Sequence, residues 1–367
     1  MKKIIVAAVA AAIIAPAASM AAGPVLYGKI HTSIDYLDNN GSSSQDSNYN
    51  EWSLQSNSSR VGVKGSEDLG NGMKVGYLIE WGTDMASGSG SLTERNRAIT
   101  LSGDWGTALA GKWDTPFKST ARKLDLFGDR VGDTRSLSKF ATTENRAANV
   151  LAYVTPNMNG FSATLAYVFD AGTGDFDGTG PDDNSVSYSD DNSDNNAYSF
   201  NAIYNNGPIM AVLGYVNYSD DGVNAPVGVS TDDASAWRLG GAYSFGDFKA
   251  IASYTDFENQ NFDKDMDTSM WTLGGSYKMG NNTIKLQYSD LDDTDRSNID
   301  DGADMWTIGL DHAMSKRTTV YALYTSLEND DDSSRVSWGA GNGHGGTAAA
   351  ATGEDADGFS VGIIHNF

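Results

Sequence analysis

The chain has 367 residues, with 48 acidic against 25 basic side chains, a formal charge of −23, 41 Gly and no Cys. The lack of Cys excludes a disulfide framework, thiol catalysis and Cys-based zinc or iron–sulfur centres, and the acidity opposes nucleic-acid binding, which needs dense Lys and Arg against phosphate. A hydrophobic content of 40% with 7 Pro is too apolar for a disordered chain, and the one sustained apolar run lies at the N-terminus, so helical membrane spans are excluded.

That run begins the chain. Lys2 and Lys3 precede Ile4–Pro16, and small residues continue to Ala22. A positive start, a short apolar stretch and a small-residue zone predict a signal peptide over residues 1–21, cut after Ser19-Met20-Ala21 with Ala22 as the second choice. The remainder, residues 22–367, is expected to work outside the cytoplasm.

From residue 22 one unit repeats: an alternating segment of about ten residues, a tight turn, another segment and a long polar loop. Short turns are expected at Asp68–Gly72, Asp104–Gly106, Asn157–Gly160, Asn205–Gly207, Phe245–Asp247, Met279–Asn282 and Ala313–Arg317, where Gly, Asn and Asp supply positive φ and local hydrogen bonds. Longer Asp/Asn/Ser/Gly tracts centre near residues 44, 89, 130, 183, 226, 262, 297 and 342. Seven turns and eight loops separate sixteen strands. In the first, Leu26, Ile30, Ile34 and Tyr36 share one parity and Lys29, His31, Ser33 and Asp35 the other; Val75, Tyr77, Ile79 and Trp81 alternate likewise with Lys74, Gly76, Leu78 and Glu80. A soluble sandwich would also alternate. Three features favour a membrane barrel: a polar face rich in Gly, Ser and Asn, aromatic residues near strand ends, and strict alternation of short turns with long loops. The fold expected is therefore all-β, a sixteen-stranded antiparallel transmembrane barrel, since only closure satisfies every backbone group in lipid.

Ser59-Arg60-Val61-Gly62-Val63-Lys64-Gly65-Ser66-Glu67-Asp68-Leu69-Gly70-Asn71-Gly72 closely resembles a block near the start of the Gram-negative general porins. So do Trp105-Gly106-Thr107 through Ala110-Gly111-Lys112-Trp113-Asp114-Thr115-Pro116-Phe117, the stretch Leu26-Tyr27-Gly28-Lys29, and the terminal Val361-Gly362-Ile363-Ile364-His365-Asn366-Phe367. The likeness runs over the whole chain after the signal peptide and is strongest in the first 170 residues. It implies a homotrimer of sixteen-stranded barrels in outer-membrane lipid and lipopolysaccharide, passing small hydrophilic solutes and ions without energy input. Phe367 resembles the terminal signal read by the barrel-assembly machinery. Lys112 departs from the Arg that related porins often carry there.

A sixteen-stranded pore is too wide to discriminate unless narrowed. The connection Asp114 to Asn145 is long for a hairpin, and its Phe117, Leu124, Leu126, Phe127, Val131, Leu137 and Phe140 give it material to pack. It is expected to fold into the lumen as the third loop of the resembled family does. Arg60, Lys64 and Lys29 share the polar parity, so a basic wall is expected inside; a charge facing lipid at mid-depth would cost about 2–4 kcal/mol. Arg95 and Arg146 join this wall by resemblance, and Arg97 is ambiguous in parity. Opposite it the loop offers Asp125, Asp129, Asp133 and Glu144, so a transverse field is expected. Solvated rim pairs of small energy are the plainer alternative.

Acidic outer loops, among them Asp182-Asp183, Asp190-Asp191, Asp232-Asp233, Asp292-Asp293 and Asp330-Asp331-Asp332, give a weak lean to cation preference at low salt. Lys118, Arg122 and Lys123 offer a partial anion site, so an anion- or phosphate-preferring channel stays open as an alternative. No cofactor and no metal site are expected, since Asp175-Phe176-Asp177-Gly178 lacks the spacing and closing Glu of an EF-hand. An enzyme is disfavoured, because the four His show no metal-ligand spacing and no Gly-x-Ser-x-Gly elbow is present. An adhesin using the Gly339–Gly353 tract is a remote alternative.

Overall fold

The computed structural model describes residues 22–39, 49–86, 92–138, 143–169, 187–188, 196–221, 223–224, 230–336 and 352–367. The expected signal peptide, Phe140, the Asp175–Gly178 motif, the pairs Asp182-Asp183 and Asp190-Asp191 and most of Gly339–Gly353 lie outside these residues.

Sixteen strands form one barrel. The first half comprises β1 (Ala22–Asn39), β2 (Tyr49–Ser56 resuming as Arg60–Gly70), β3 (Met73–Thr83), β4 (Leu92–Gly103), β5 (Gly106–Asp114), β6 (Arg146–Val154), β7 (Phe161–Val168) and β8 (Ala197–Asn206). The second comprises β9 (Ile209–Tyr218), β10 (Ala234–Phe245), β11 (Phe248–Glu258), β12 (Thr268–Met279), β13 (Asn282–Leu291), β14 (Ala303–Ala313), β15 (Thr318–Asn329) and β16 (Ala356–Asn366). Chain neighbours pair antiparallel throughout, and β16 pairs back onto β1. At the seam Gly28 and Phe367 exchange two backbone hydrogen bonds of 3.1 and 3.0 Å. Closure leaves no edge along this seam, which is what a strand in hydrocarbon requires.

All seven expected turns join the strands where the sequence placed them. Between β2 and β3, Asn71 (φ 53°) and Gly72 (φ 76°) both take left-handed backbone, the geometry of a two-residue hairpin turn that matches strand twist. The two segments of β2 are one strand broken at Asn57–Ser59. There the Asn57 N–H donates to the His31 carbonyl (2.8 Å) and the His31 N–H to Ser59 Oγ (3.0 Å), so these two backbone donors stay paired across the break.

Parity separates two faces as expected. Along β1, His31, Ser33 and Asp35 are buried, while Ile34 is 53% exposed. The exposed face carries an apolar band edged by aromatic rows. Trp237–Tyr254, Trp271–Tyr288 and Trp306–Tyr324 sit at ring separations of 5.3, 5.1 and 5.3 Å toward the long loops. Phe245, Phe248 and Tyr277 stack toward the short turns. Such girdles mark the two membrane–water boundaries.

Between β5 and β6 runs the connection that was expected to be special. It opens with α1 (Pro116–Leu124), where Thr115 Oγ1 accepts the Lys118 N–H at 3.2 Å and Pro116 sits in the first turn. Arg122 and Lys123 occupy the last turn, complementing the helix dipole. A short α2 (Arg135–Ser138) follows. Phe117, Leu124, Phe127, Val131 and Leu137 are all buried; burying each is worth about 1.5–3 kcal/mol relative to leaving it in water. Gly132 and Gly358 make room for this packing: a Cβ on Gly132 would strike Thr307, and one on Gly358 would strike Val131.

Candidate functional site

The loop touches inward-parity side chains on many strands. On β8, Ser199 Oγ accepts the Phe117 N–H (3.1 Å) and Asn201 Nδ2 donates to the Pro116 carbonyl (3.0 Å). On β13, Gln287 Oε1 accepts the Leu126 N–H (2.8 Å) and Lys285 Nζ donates to the Leu126 carbonyl (3.0 Å). On β14, Asp311 takes a two-pronged contact from Arg130 at 2.7 and 3.0 Å and a further bond from Lys285 at 2.6 Å. Arg130 also stacks on the Tyr321 ring of β15 (4.3 Å), and Lys29 of β1 donates to Asp129 at 2.7 Å.

The basic side chains expected to form a wall lie on β1, β2, β4 and β6. Lys29 is buried on the parity opposite exposed Leu26 and Ile34, Arg60 and Lys64 are partly buried on one parity of β2, and the Lys64 ammonium lies over the Tyr27 ring at 5.0 Å. Arg95 joins them through a bulge. Ile79 and Trp81 of β3 pair with Arg97 and Glu94 of β4, so Arg95 and Asn96 together oppose Glu80. The extra residue turns Arg95 inward, onto Glu80 at 2.7 Å, and leaves Arg97 on the outer face with Glu94 and Lys112, which resolves its ambiguous parity. Glu80 also approaches Arg60 at 3.6 Å and accepts from Tyr27 at 3.1 Å. Arg146 reaches Asp114 at 3.1 Å and Asn96 at 2.7 Å, and Lys118 lies 3.8 Å from Asp114.

The expected opposing row of loop acids forms only in part. Asp129 faces the wall, bound to Lys29 and, within the loop, to Arg135 at 3.1 Å. Burial resists its ionisation, yet Lys29, Arg122, Arg135 and Arg60 outweigh that and hold it well below the usual carboxylate range. Asp133 turns back onto Arg135 and the Asp129 N–H (2.7 Å) instead of facing the wall, because the tight turn 129–133 needs an acceptor. Asp125 likewise serves the loop itself, accepting from the Phe127 N–H (2.7 Å), Thr134 and Gln287. Burial, with the Asp133 charge added, pushes Asp125 up to about 6. Glu144 points the other way, to Arg238 of β10, where both side chains are almost fully buried. Arg238 also bonds Thr255 and Thr120 and stacks on Phe117 (4.4 Å). Arg122 is exposed at the end of α1, within electrostatic range of Lys29, Arg60, Asp114 and Asp129. Lys123 is partly buried. Phe367 is 42% exposed, its ring against Gly28.

Sequence reasoning missed Glu80 as the carboxylate inside the wall, and Arg130, Arg238, Lys285 and Asp311 as the groups that bind the loop. All but Arg130 sit on the inward parity of their strands, so alternation could have found them. The resulting cluster is cation-rich: Lys29, Arg60, Arg95, Lys118, Arg122, Arg135 and Arg146 gather around Glu80, Asp114, Asp129 and Asp133.

Comparison with known proteins agrees with this architecture. A family model described as Gram-negative porin matches residues 6–332. Outer membrane porin protein 32 of Delftia acidovorans is 31% identical over 384 residues, covering all of both chains. A major outer membrane protein P.IB of Neisseria gonorrhoeae is 30% identical over 46% of this chain and 48% of its own. Among solved structures, the anion-selective porin from Comamonas acidovorans superposes with a TM-score of 0.74 at 28% identity, over 94% of this chain and 99% of its own. OmpF of Salmonella typhi superposes at 0.67 with 15% identity over 94% and 97%, a likeness of fold. With a closed sixteen-stranded barrel, its aromatic girdles and a family match over most of its length, the chain belongs to the Gram-negative porins, passive channels of the outer membrane.

Proposed function

We propose that residues 114–145 fold into the lumen and form the constriction of a general diffusion channel for small hydrophilic solutes and ions, with the basic wall of Lys29, Arg60, Lys64, Arg95 and Arg146 on one side. The observation that carries this is the span of the loop's contacts. One segment bonds Ser199 on β8, Asp311 on β14 and Lys29 on β1 through side chains of a single parity, and a connection lying outside the barrel could not reach all three.

Within that constriction Lys118, Arg122 and Lys123 act with the wall, while Asp129 is the one loop acid set against it; Asp125, Asp133 and Glu144 hold the loop's shape. The excess of cations over carboxylates supports anion preference, in line with the similarity to the anion-selective porin of Comamonas acidovorans and against the weak cation lean suggested by the outer loops. The broader reading also includes export by a signal peptide over residues 1–21, Phe367 as assembly signal for the barrel-assembly machinery, and a homotrimer embedded in lipid and lipopolysaccharide. Glu94, Arg97 and Lys112 form a charged group on the outer face; charges there are costly against lipid, which supports a protein-covered face.

The test is single-channel conductance and reversal potential of the folded protein in a planar bilayer under a KCl gradient. Large steps closing in thirds with a chloride-favouring reversal are expected. Small steps blocked by micromolar phosphate would mean a specific anion channel, and a cation-favouring reversal would overturn the assignment of the eyelet charges.

A further inference from the structure

Charge on this barrel is sorted by height, and that sorting has a transport consequence beyond size and sign selectivity. At the long-loop end, Asp292, Asp293, Asp295, Asp300, Asp330 and Asp331 are all exposed. Asp293, Asp300 and Asp330 bring carboxylate oxygens within 4.8 Å of one another, and the charge of Asp293, before any burial, raises the Asp300 carboxyl above its ordinary range. The eyelet beneath is cation-rich. Toward the short turns the inward parity carries Lys64, Lys249 and Lys278, while Lys74 stands opposite Asp68 in the β2–β3 register. Asp68, Asp104 and Asp247 are acids of the nearby turns, and Asp311 near the last of the short turns is paired with Arg130 and Lys285. In the porin orientation long loops face the exterior and short turns the periplasm.

We propose that the pore is a bipolar junction, an acidic outer vestibule in series with a basic inner lumen, and that it therefore rectifies ionic current. This rests on the channel reading above. An acidic section is filled mainly by mobile cations and a basic section by mobile anions, because each wall attracts its counter-ions. When the exterior is positive, cations are driven inward through the vestibule and anions outward through the inner lumen. Both accumulate at the eyelet and conductance rises. When the exterior is negative, both are drawn away from the eyelet, which is depleted, and conductance falls. The effect needs wall fields that reach across the opening, with a screening length of about 10 Å at 0.1 M salt, and it collapses at 1 M where that length is about 3 Å. Biologically, such a pore would admit anions from outside less readily when the exterior is negative and dilute than its eyelet alone would suggest, because they must first cross the acidic vestibule and the eyelet is then depleted.

The chain has no Cys, so Asn281→Cys in a short turn gives a unique thiol. A bulky, membrane-impermeant thiol reagent added to one chamber then reports which way each channel has inserted. Instantaneous current in single oriented channels is recorded at both polarities in 0.1 M and 1 M KCl. Roughly twofold larger current with the exterior positive at 0.1 M, falling toward equality at 1 M, is the expected result, as fields of a few kT imply. Replacing Asp292, Asp293, Asp295, Asp300, Asp330 and Asp331 by Asn should bring the 0.1 M ratio near one. Should that loop variant fold poorly, Lys249→Gln with Lys278→Gln weakens the junction from the other end and should lower the ratio while leaving a working pore. Equal currents at 0.1 M, the opposite polarity, or a ratio unmoved by either set of substitutions would overturn the proposal and leave the channel standing. Absence of any conductance from folded protein would remove the channel reading itself, and the junction with it.

Discussion

The loop meets the two sides of the barrel by different means. Toward β8–β14 it is bolted: Phe117, Leu124 and Phe127 are buried, Arg238 clasps Glu144, and Arg130 grips Asp311 with two bonds. Toward β1–β4 it is held more lightly, by Lys29 on Asp129, Asn96 on Asp114 and Leu37 in one cluster with Phe127 and Val131, while Arg60, Arg95 and Arg122 lie around Asp129 with their charge imperfectly matched. The bolted side is dry, so pairing errors there are paid in stability. The open side keeps more of a path to water, with Arg122 exposed and the Arg60 side chain 19% exposed, so an unmatched cation is cheaper to keep there. In the channel proposed above, one side would set where the loop stands, and the other what charge a passing solute meets.

The sharpest way to break this division is to unpair the bolt. Arg238→Met leaves the nearly buried Glu144 carboxylate without its cation, a loss of about 3–5 kcal/mol when one partner of a buried pair is removed. A lower melting temperature and flickering single-channel current are expected. The double variant Arg238→Met with Glu144→Gln removes the stranded charge and should recover most of the melting temperature. If the single variant melts and conducts as the parent does, Arg238 is not what anchors the loop.

On the open side the same kind of change should spare stability and move selectivity. Arg60→Gln removes a wall cation that shares Glu80 with Arg95. The chloride-to-potassium permeability ratio should fall roughly three- to fivefold, the factor implied by about 1 kcal/mol between unit charges 4 Å apart in a water-like medium. Reversal potentials in a KCl gradient measure it directly. Glu80→Gln should push the ratio upward by a smaller factor, since Arg60 and Arg95 then repel each other and spread. A stability loss from Arg60→Gln equal to that from Arg238→Met would erase the distinction between the two sides.

The same division explains what alternation could and could not reveal. Lys29, Arg60 and Lys64 were legible because they lie in unbroken stretches where every second residue turns inward. Arg95 was placed only by resemblance: residues 95 and 97 share parity in sequence, and the bulge opposite Glu80 that separates them has no signature of its own. The loop acids were read as a row because their charge is visible and their partners are not. Asp133 turns to Arg135 two residues on, and Asp125 to backbone groups two and nine residues away. These are consequences of how the loop coils, and short-range hydrogen bonding to Asp competes effectively with any distant cation. The partners that fix the loop, Arg238, Lys285 and Asp311, lie far along the chain, so their inward parity was readable and their contact was not.

The smallest effect concerns Asp125, which sits between the two sides. Its carboxyl is pushed up to about 6 by burial and by the neighbouring Asp133 charge, so it takes up a proton as pH falls from 7 to 5. One negative charge then leaves the loop, and chloride preference should rise by less than the shift produced by Arg60→Gln, because Asp125 faces Gln287 and loop backbone. The raised value also fixes the sign for stability. The folded state binds this proton more tightly than the unfolded chain does, so the contribution is fully present below about 3.8 and lost as pH rises through about 6. Asp300 and Asp330 in the outer loops are raised as well, and their protonation would add to the change in reversal potential. Asp125→Asn separates the sources: it should abolish the eyelet's part of the pH step while the vestibule's part, which fades at 1 M salt, remains. A pH step at 1 M that survives Asp125→Asn unchanged would mean another buried group titrates in the eyelet.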